Sequence, residues 1–443
     1  MISAREVAIN TVMQVFENKA YSNIALNNNL NQCNLGDKDK ALATELVYGT
    51  IKYKYTIDKI LKSFLEKKFD KTDKYILNLL RVCIYQLRYL DKIPEFAAVN
   101  EGVNLAKVKV SVGASKLVNG VLRSYLRNKE REYYNRENIN EKLAFLYSYP
   151  QWMIKLFIDQ YGEEIGENIL EGLNKRPAVT VRVNSVKGDF ESVFNKMKET
   201  GYNVEEGVIC PEAIRIVRGK SIEDNPLFKE GIITVQDESA MLVAPSMDLK
   251  EHMTVLDLCS APGGKTTHIA EIMNNTGIVK GFDIYDHKLD LIKSNSERLG
   301  LTNIKLDILD ATKECRELIE IGDRVLIDVP CSGLGIIRKK PEIKYTKKEK
   351  ELKSLITVQR DIMKNAAKYV KQGGIILYST CTINKEENEE NINWFLKNFK
   401  DFSIEPLNFG QMDNIIYDEK GCVTVLPNEY MDGFFIAKIR RNK

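Results

Sequence analysis

Two cysteines in this chain stand directly behind apolar runs, each with hydroxyl residues beside it. Cys331 lies in Asp328-Val329-Pro330-Cys331-Ser332 and Cys381 in Tyr378-Ser379-Thr380-Cys381-Thr382. A third segment, Asp257-Leu258-Cys259-Ser260-Ala261-Pro262-Gly263-Gly264-Lys265-Thr266, reads as a nucleotide-type cofactor loop. A buried free cysteine usually behaves as a small hydrophobe. That reading suits Cys83 and Cys315 but not two cysteines placed just past strand ends among hydroxyls. A thiolate beside a methyl donor points to one reaction, covalent activation of a pyrimidine ring followed by methylation. Carbon 5 of cytosine is a weak nucleophile, and a thiolate adding at carbon 6 turns the ring into an enamine that accepts a methyl group. A free thiol has a pKa of about 8.5, so the site needs a nearby Lys or Arg to lower it. Asp328 could hydrogen-bond ring nitrogen 3 and the exocyclic amine as the thiolate adds. At this level either cysteine could be the nucleophile. No histidine stands near enough in the motifs to serve as the base for the carbon-5 proton.

The cofactor loop gains its meaning from what flanks it. Val255-Leu256-Asp257-Leu258 predicts a buried strand, and Thr266-Thr267-His268-Ile269-Ala270 opens a helix. Strand, small-residue turn and helix N-terminus together let backbone N–H groups approach a ligand closely. A P-loop would need glycine at position 259, where Cys259 stands, and no G-x-G-x-x-G is present. Acidic residues then close successive strands. Asp283 ends Ile278–Asp283, where a carboxylate can accept ribose hydroxyls, and Asp310 follows the third strand, with Asp307 as its nearest competitor.

These residues need a scaffold, and the apolar periodicity predicts one. Ser3 with Glu6 reads as a capping box ahead of Ala4, Val7, Ala8, Thr11, Val12 and Val15 at helical spacing. Further helices are expected near 38–53, 56–68, 73–90, 95–109, 113–127 and over 143–173. Strands at 178–183 and 213–217 with a helix near 189–199 predict a small α+β unit. Strands at 254–258, 278–283, 304–306, 324–328 and 374–379, alternating with helices, predict a doubly wound, mostly parallel sheet. A late strand over 433–439 is expected, paired with 423–426. The division is 1–130, an all-α domain; 131–230, linker helices and the α+β subdomain; and 231–443, the α/β core.

At 443 residues the chain exceeds one ordinary core, and 44% hydrophobic with 29% charged residues is a globular composition. No apolar run approaches the roughly 20 residues of a membrane span, and the first residues lack the apolar core of a secretory signal, so a cytoplasmic protein is expected. The net charge of +3 permits a nucleic-acid partner without demanding one. The eight cysteines include no C-x-x-C pair, and the three histidines do not join them at ligand spacing, so no metal is expected. The basic run Ile337-Arg338-Lys339-Lys340-Pro341-Glu342-Ile343-Lys344 is the candidate RNA-contact segment.

Residues 257–267, 328–332 and 379–382, in this order and spacing, resemble the Sun family of RNA cytosine-5 methyltransferases, as do Arg182-Val183-Asn184 and Val235-Gln236-Asp237-Glu238-Ser239. Leu42–Thr50 and Leu117–Arg123 are similar to a NusB-type helical RNA-binding domain. The resemblance covers essentially the whole chain. It implies a Rossmann-like class I methyltransferase core behind an all-α NusB-like domain and a small α+β RNA-binding subdomain. It implies S-adenosylmethionine as methyl donor and 16S rRNA as substrate, at cytosine 967 in the usual bacterial numbering, with a monomer expected and no membrane or metal. By the same resemblance Cys381 is the nucleophile, Cys331 assists product release and Asp328 stabilises the activated base. Cys259, Ser260, Ala261, Pro262, Gly263, Gly264 and Lys265 contact the cofactor, with Asp283, Asp310 and Asp328 lining its site. The alternatives are the same chemistry on tRNA or another RNA, and a catalytically idle RNA-binding assembly factor.

Overall fold

Ser3 caps the first helix, Ala4–Asn18, its hydroxyl accepting the Glu6 N–H at 3.2 Å. Only half of the expected capping box forms, because the Glu6 carboxylate pairs with Lys109 instead of returning to the cap. In this computed structural model residues 2–442 are described; Met1 and Lys443, the outer ends of the first and last expected domains, lie outside them. Two compact units emerge, Met1–Asn174 with Ile337–Lys348, and Lys175–Ile336 with Glu349–Lys443.

The first unit is helical. Helices Asp37–Lys52, Lys54–Leu65, Lys74–Tyr89, Glu95–Lys109 and Val112–Arg127 stand where their periodicity predicts them. Their apolar faces meet in one core around Leu46, Ile57, Leu80, Ile84 and Leu122, each buried. The stretch 143–173 is not one helix but parts of three, Ile139–Tyr147, Gln151–Tyr161 and Glu163–Gly172. Pro150 bars the residue before it from helical backbone, and Gly162 at φ 81° turns the chain a second time. The polar helix Ser22–Asn31 was not foreseen, because its asparagines conceal any apolar stripe.

The segment Ile337–Lys348 corrects an expectation. Residues 337, 338 and 341–344 are buried, so Arg338 and Lys344 present no charge to RNA, while Lys340 is exposed and Lys339 partly so. The Glu342 carboxylate accepts the Ser22 N–H at 3.1 Å and hydroxyl at 2.8 Å. The Lys344 ammonium donates to the carbonyls of Lys52 (3.2 Å) and Ser148 (3.1 Å) and to Asn174 Oδ1 (2.9 Å), over the Tyr149 ring. Burial holds its pKa well below the ordinary lysine value. The polar heads of Glu342 and Lys344 are satisfied by hydrogen bonds inside the protein, which is what permits their burial.

The second unit contains two sheets. Strands β1 (Val179–Val183), β2 (Asn203–Glu206), β3 (Ala213–Arg218) and β4 (Ile233–Val235) pair antiparallel in the order β2-β3-β1-β4. The larger sheet contains β5 (Thr254–Asp257), β6 (Ile278–Asp283), β7 (Ile304–Ile308), β8 (Gly322–Asp328), β9 (Val370–Thr380), β10 (Phe402–Ile404), β11 (Ile415–Tyr417), β12 (Val423–Val425) and β13 (Phe434–Arg441). It runs β11-β12-β13-β9-β8-β5-β6-β7, with β10 beside β13. The five strands β7-β6-β5-β8-β9 are parallel and the other four antiparallel, so the sheet is mixed rather than mostly parallel. The expected pairing of the late strands holds, with Val423 opposite Ile436. Val255, Leu326 and Leu377 pack in one core, and Leu256, Val325 and Ile376 in the other, as alternation in a sheet covered on both faces requires. No helix among the described residues is long and apolar enough to cross a membrane.

Arg182, on β1, anchors the smaller sheet. Fully buried, it pairs with Glu271 at 2.9 and 2.7 Å and donates to the Gly264 carbonyl at 3.0 Å. Removing one partner of a buried pair strands the other charge, so Arg182→Met is expected to cost about 3–5 kcal/mol in urea unfolding. Asp257 closes β5, also buried, and burial pushes its carboxyl up to about 7. The folded state thus holds that proton more tightly than an unfolded carboxyl, which titrates at about 3.9. Stability from this group is therefore full at acid pH and falls as pH rises from about 4 through about 7. Asp257→Asn, compared with the native chain by unfolding at pH 5 and pH 8 without ligand, is expected to gain about 1–3 kcal/mol in relative stability. A pH-independent difference would place the ionisation elsewhere.

Candidate active site

The order β7-β6-β5-β8-β9 reverses its direction of winding between β5 and β8. Neighbouring connections diverge there and leave a crevice at the carboxyl ends of the strands. Asp257 ends β5, Asp328 ends β8, and Cys381 directly follows β9.

The loop after β5 is fixed from several sides. The Ser260 N–H and hydroxyl both donate to the Phe282 carbonyl at 2.8 Å. The Thr266 hydroxyl donates to Asp257 Oδ2 at 2.7 Å, and the Pro262 carbonyl, after Ala261, accepts from Asn295 at 3.1 Å. Gly263 sits at φ 99°, and a Cβ there would stand 3.0 Å from Ile292. Gly264 begins the helix Gly264–Ile272, and a Cβ there would meet nothing within 4 Å. Open space beside a helix N-terminus, where amides lack helical acceptors, suits a ligand with acceptor atoms. Burial, then the Asp257 charge, pushes the half-buried Cys259 thiol well above its ordinary value, so it stays neutral.

Asp283 is buried at the end of β6 and accepts the Tyr285 N–H at 3.2 Å, with Lys288 at 3.4 Å. Asp310 lies past β7, where the Thr312 hydroxyl donates to it at 2.6 Å and Lys313 stands at 3.2 Å. The Thr312 hydrogen bond holds its carboxyl below the usual range. Asp307 falls inside β7, opposite Phe282.

Lys265 belongs to a different cluster from the rest of its loop. Its ammonium donates to Asp328 Oδ2 at 2.7 Å and lies 5.1 Å above the Phe434 ring, while Ser379 donates to Asp328 Oδ1 at 2.8 Å. Burial pulls the lysine pKa down, but Asp328, with a smaller contribution from Cys381, outweighs this and raises it. The sulfurs of Cys331 and Cys381 stand 3.3 Å apart, both half-buried. Hydrogen bonding to Cys381, then burial, pushes the Cys331 thiol well above its ordinary value. The protonated form of Cys331 is thereby favoured. Cys83 is buried as expected, its thiol pushed up to about 12, whereas Cys315 is half-exposed, 3.1 Å from Glu317.

Reading the motifs alone missed what supports them. Glu387 is fully buried and accepts the Ser332 N–H at 2.9 Å and hydroxyl at 2.5 Å, Gln359 at 2.9 Å and Asn384 at 3.1 Å. Ser332 and Thr382 hydroxyls meet at 2.8 Å. The residues next to both cysteines are thus bonded to one another, directly and through one carboxylate. Ser332, Ser379 and Thr382 could have been suspected from their places in the motifs. Glu387 could not, because Lys385-Glu386-Glu387-Asn388-Glu389-Glu390 has the composition of a solvated helix start.

Residues 244–440 match the family described as 16S rRNA methyltransferase RsmB/F, residues 2–127 the NusB family, and residues 149–223 the ferredoxin-like domain of RsmF/B-like methyltransferases. The probable ribosomal RNA small subunit methyltransferase B of Bacillus subtilis (strain 168) is 39% identical over 445 residues, 99% of either chain. Ribosomal RNA small subunit methyltransferase B of Proteus mirabilis (strain HI4320) is 32% identical over 413 residues, 93% of this chain and 92% of the relative. Among solved structures, PH0851 superposes with a TM-score of 0.85 at 28% identity over 100% of this chain and 99% of its own. A methyltransferase homolog protein from Pyrococcus horikoshii gives a TM-score of 0.60 at 29% identity over 68% of this chain and 98% of its own. Identity of this order along nearly the whole of both chains places the protein in the RsmB/F family of 16S rRNA methyltransferases.

Proposed function

We propose that the protein transfers a methyl group from S-adenosylmethionine to carbon 5 of a cytosine in 16S rRNA, at position 967 in the usual bacterial numbering, acting as a monomer in the cytoplasm. The observation that carries this reading is the pair of sulfurs 3.3 Å apart beside the Lys265–Asp328 ion pair. The division at 130 and 230 is kept as a functional one, with RNA-binding parts ahead of the catalytic core.

The loop Cys259–Gly264 would hold the methyl donor against the backbone N–H groups at the helix start, with Asp283 toward its ribose and Asp310 toward its adenine. When bound, S-adenosylmethionine supplies an electrophilic methyl group. The protein's own groups prepare the acceptor. The Cys381 thiolate adds to carbon 6 of the cytosine, forming a carbon–sulfur bond and leaving carbon 5 nucleophilic. The Lys265 ammonium favours negative charge on that sulfur before attack. Asp328, oriented by Lys265 and Ser379, has acceptor capacity left for the exocyclic amine of the base. Once carbon 5 carries the methyl group, transfer of its proton to a solvent base breaks the carbon–sulfur bond, expels the Cys381 thiolate and restores the aromatic ring. Cys331, protonated and in contact with the departing sulfur, assists that release. A cytosine inside a helix cannot reach such a site, so the base is taken unpaired or flipped.

Two substitutions separate the roles. Cys381→Ala is expected to abolish methylation, read by bisulfite sequencing of rRNA from a complemented deletion strain, while S-adenosylmethionine binding persists. Retained 5-methylcytosine would remove Cys381 from the nucleophile's role. Cys331→Ala is expected to accumulate a covalent protein–RNA adduct, seen as a slowly migrating band under denaturing conditions. The same band with Cys381→Ala instead would reverse the two assignments.

A further inference from the structure

Away from the crevice, the second unit carries a cleft of about 800 Å3, lined by residues of β1, β2 and β3 and by Glu429 and Tyr430. Arg176, Arg215, Arg218 and Lys220 supply its positive charge. Arg215 is committed: it pairs with Glu205, and its guanidinium lies 4.1 Å over the Tyr430 ring. Arg176, Arg218 and Lys220 are exposed and have no ion-pair partner among the described residues. Glu429 is the one acidic side chain of the lining not already matched to Arg215. Val179 and Val217, 42% and 52% exposed, add apolar surface.

We propose that this cleft binds a single-stranded segment of the substrate RNA adjoining the target base. The three unmatched cations would take phosphates, and the flat Arg215–Tyr430 stack would offer a platform for a neighbouring base. Cationic grooves interleaved with aromatic faces are how proteins hold unpaired strands without reading their sequence. The cleft is also within reach of the chemistry. Three residues lie between Tyr430 and Phe434, a span of at most about 14 Å when fully extended. Phe434 lies under Lys265, and the next residue, Phe435, pairs with Thr380 beside Cys381. A strand delivering one base to Cys381 can therefore place its next few nucleotides in the cleft. An acidic peptide would satisfy the cations but has no use for the stacked platform.

The inference rests on the RNA reading above, so the test must separate the two. The probe is deproteinised 16S rRNA from a strain lacking the gene, with the full-length protein. The triple variant Arg176→Ala/Arg218→Ala/Lys220→Ala is expected to raise KM at least tenfold with kcat within twofold. Its plot of log affinity against log salt should be shallower by about 2, since each phosphate contact on a single strand contributes about 0.7. Tyr430→Ala is expected to weaken binding at least fivefold without changing that slope. S-adenosylmethionine affinity and thermal unfolding should match the native chain in both variants. Native KM and salt slope in the triple variant, with the native protein methylating the probe normally, would overturn the cleft alone. A native protein that neither binds nor methylates RNA would overturn both readings.

Discussion

The contact between Lys265 and Asp328 is the constraint around which the catalytic half of the molecule is arranged. One partner comes from the first turn of the helix behind the glycine loop, the other from the end of β8, and Ser379 at the end of β9 holds the second carboxylate oxygen. Three segments distant in sequence are thus fixed by one partly shielded carboxylate. Such a pair is strengthened where water is restricted, and here the two side chains are 17% and 27% exposed, with acceptor positions on the carboxylate still open toward the crevice. The positive charge beside the two sulfurs follows from the same contact, because a lysine tethered to Asp328 cannot swing out into solvent.

Support for this arrangement comes from polar groups buried behind it. Glu387 gathers Ser332, Gln359 and Asn384, and Arg182 ties β1 to Glu271 and to the Gly264 carbonyl. Both charges are fully buried, so each hydrogen bond also serves to avoid an unpaired charge in a low dielectric. Position is specified more sharply this way than apolar packing alone would allow, since the donors and acceptors admit one geometry.

Much of the scaffold was legible because its signals are local. Val255-Leu256 and Val325-Leu326-Ile327 are strands buried on both faces and read as continuous apolar runs, and Ser3 marks a helix start. Side-chain partnership was not legible, because it depends on the fold. Lys265 reads as part of the cofactor loop, yet its ammonium turns to Asp328. The charged run around Glu387 reads as solvated surface, yet that carboxylate is enclosed. Residues 337–344 read as a basic patch, yet Lys344 is spent on carbonyls of the helical unit. In each case composition gave the charge correctly and could not give its destination. The single helix expected over 143–173 failed for a local reason, since Pro150 and Gly162 were outweighed by the surrounding apolar pattern.

Adjacent glycines in the loop after β5 answer to different masters. Gly263 is demanded by the backbone itself, through its left-handed conformation and the nearness of Ile292. Gly264 has room for a larger residue in the protein alone. Its smallness has value only toward something that comes from outside. Stability selection would therefore preserve the first and be blind to the second, so a lineage that lost the need for its ligand would keep one glycine and let its neighbour drift.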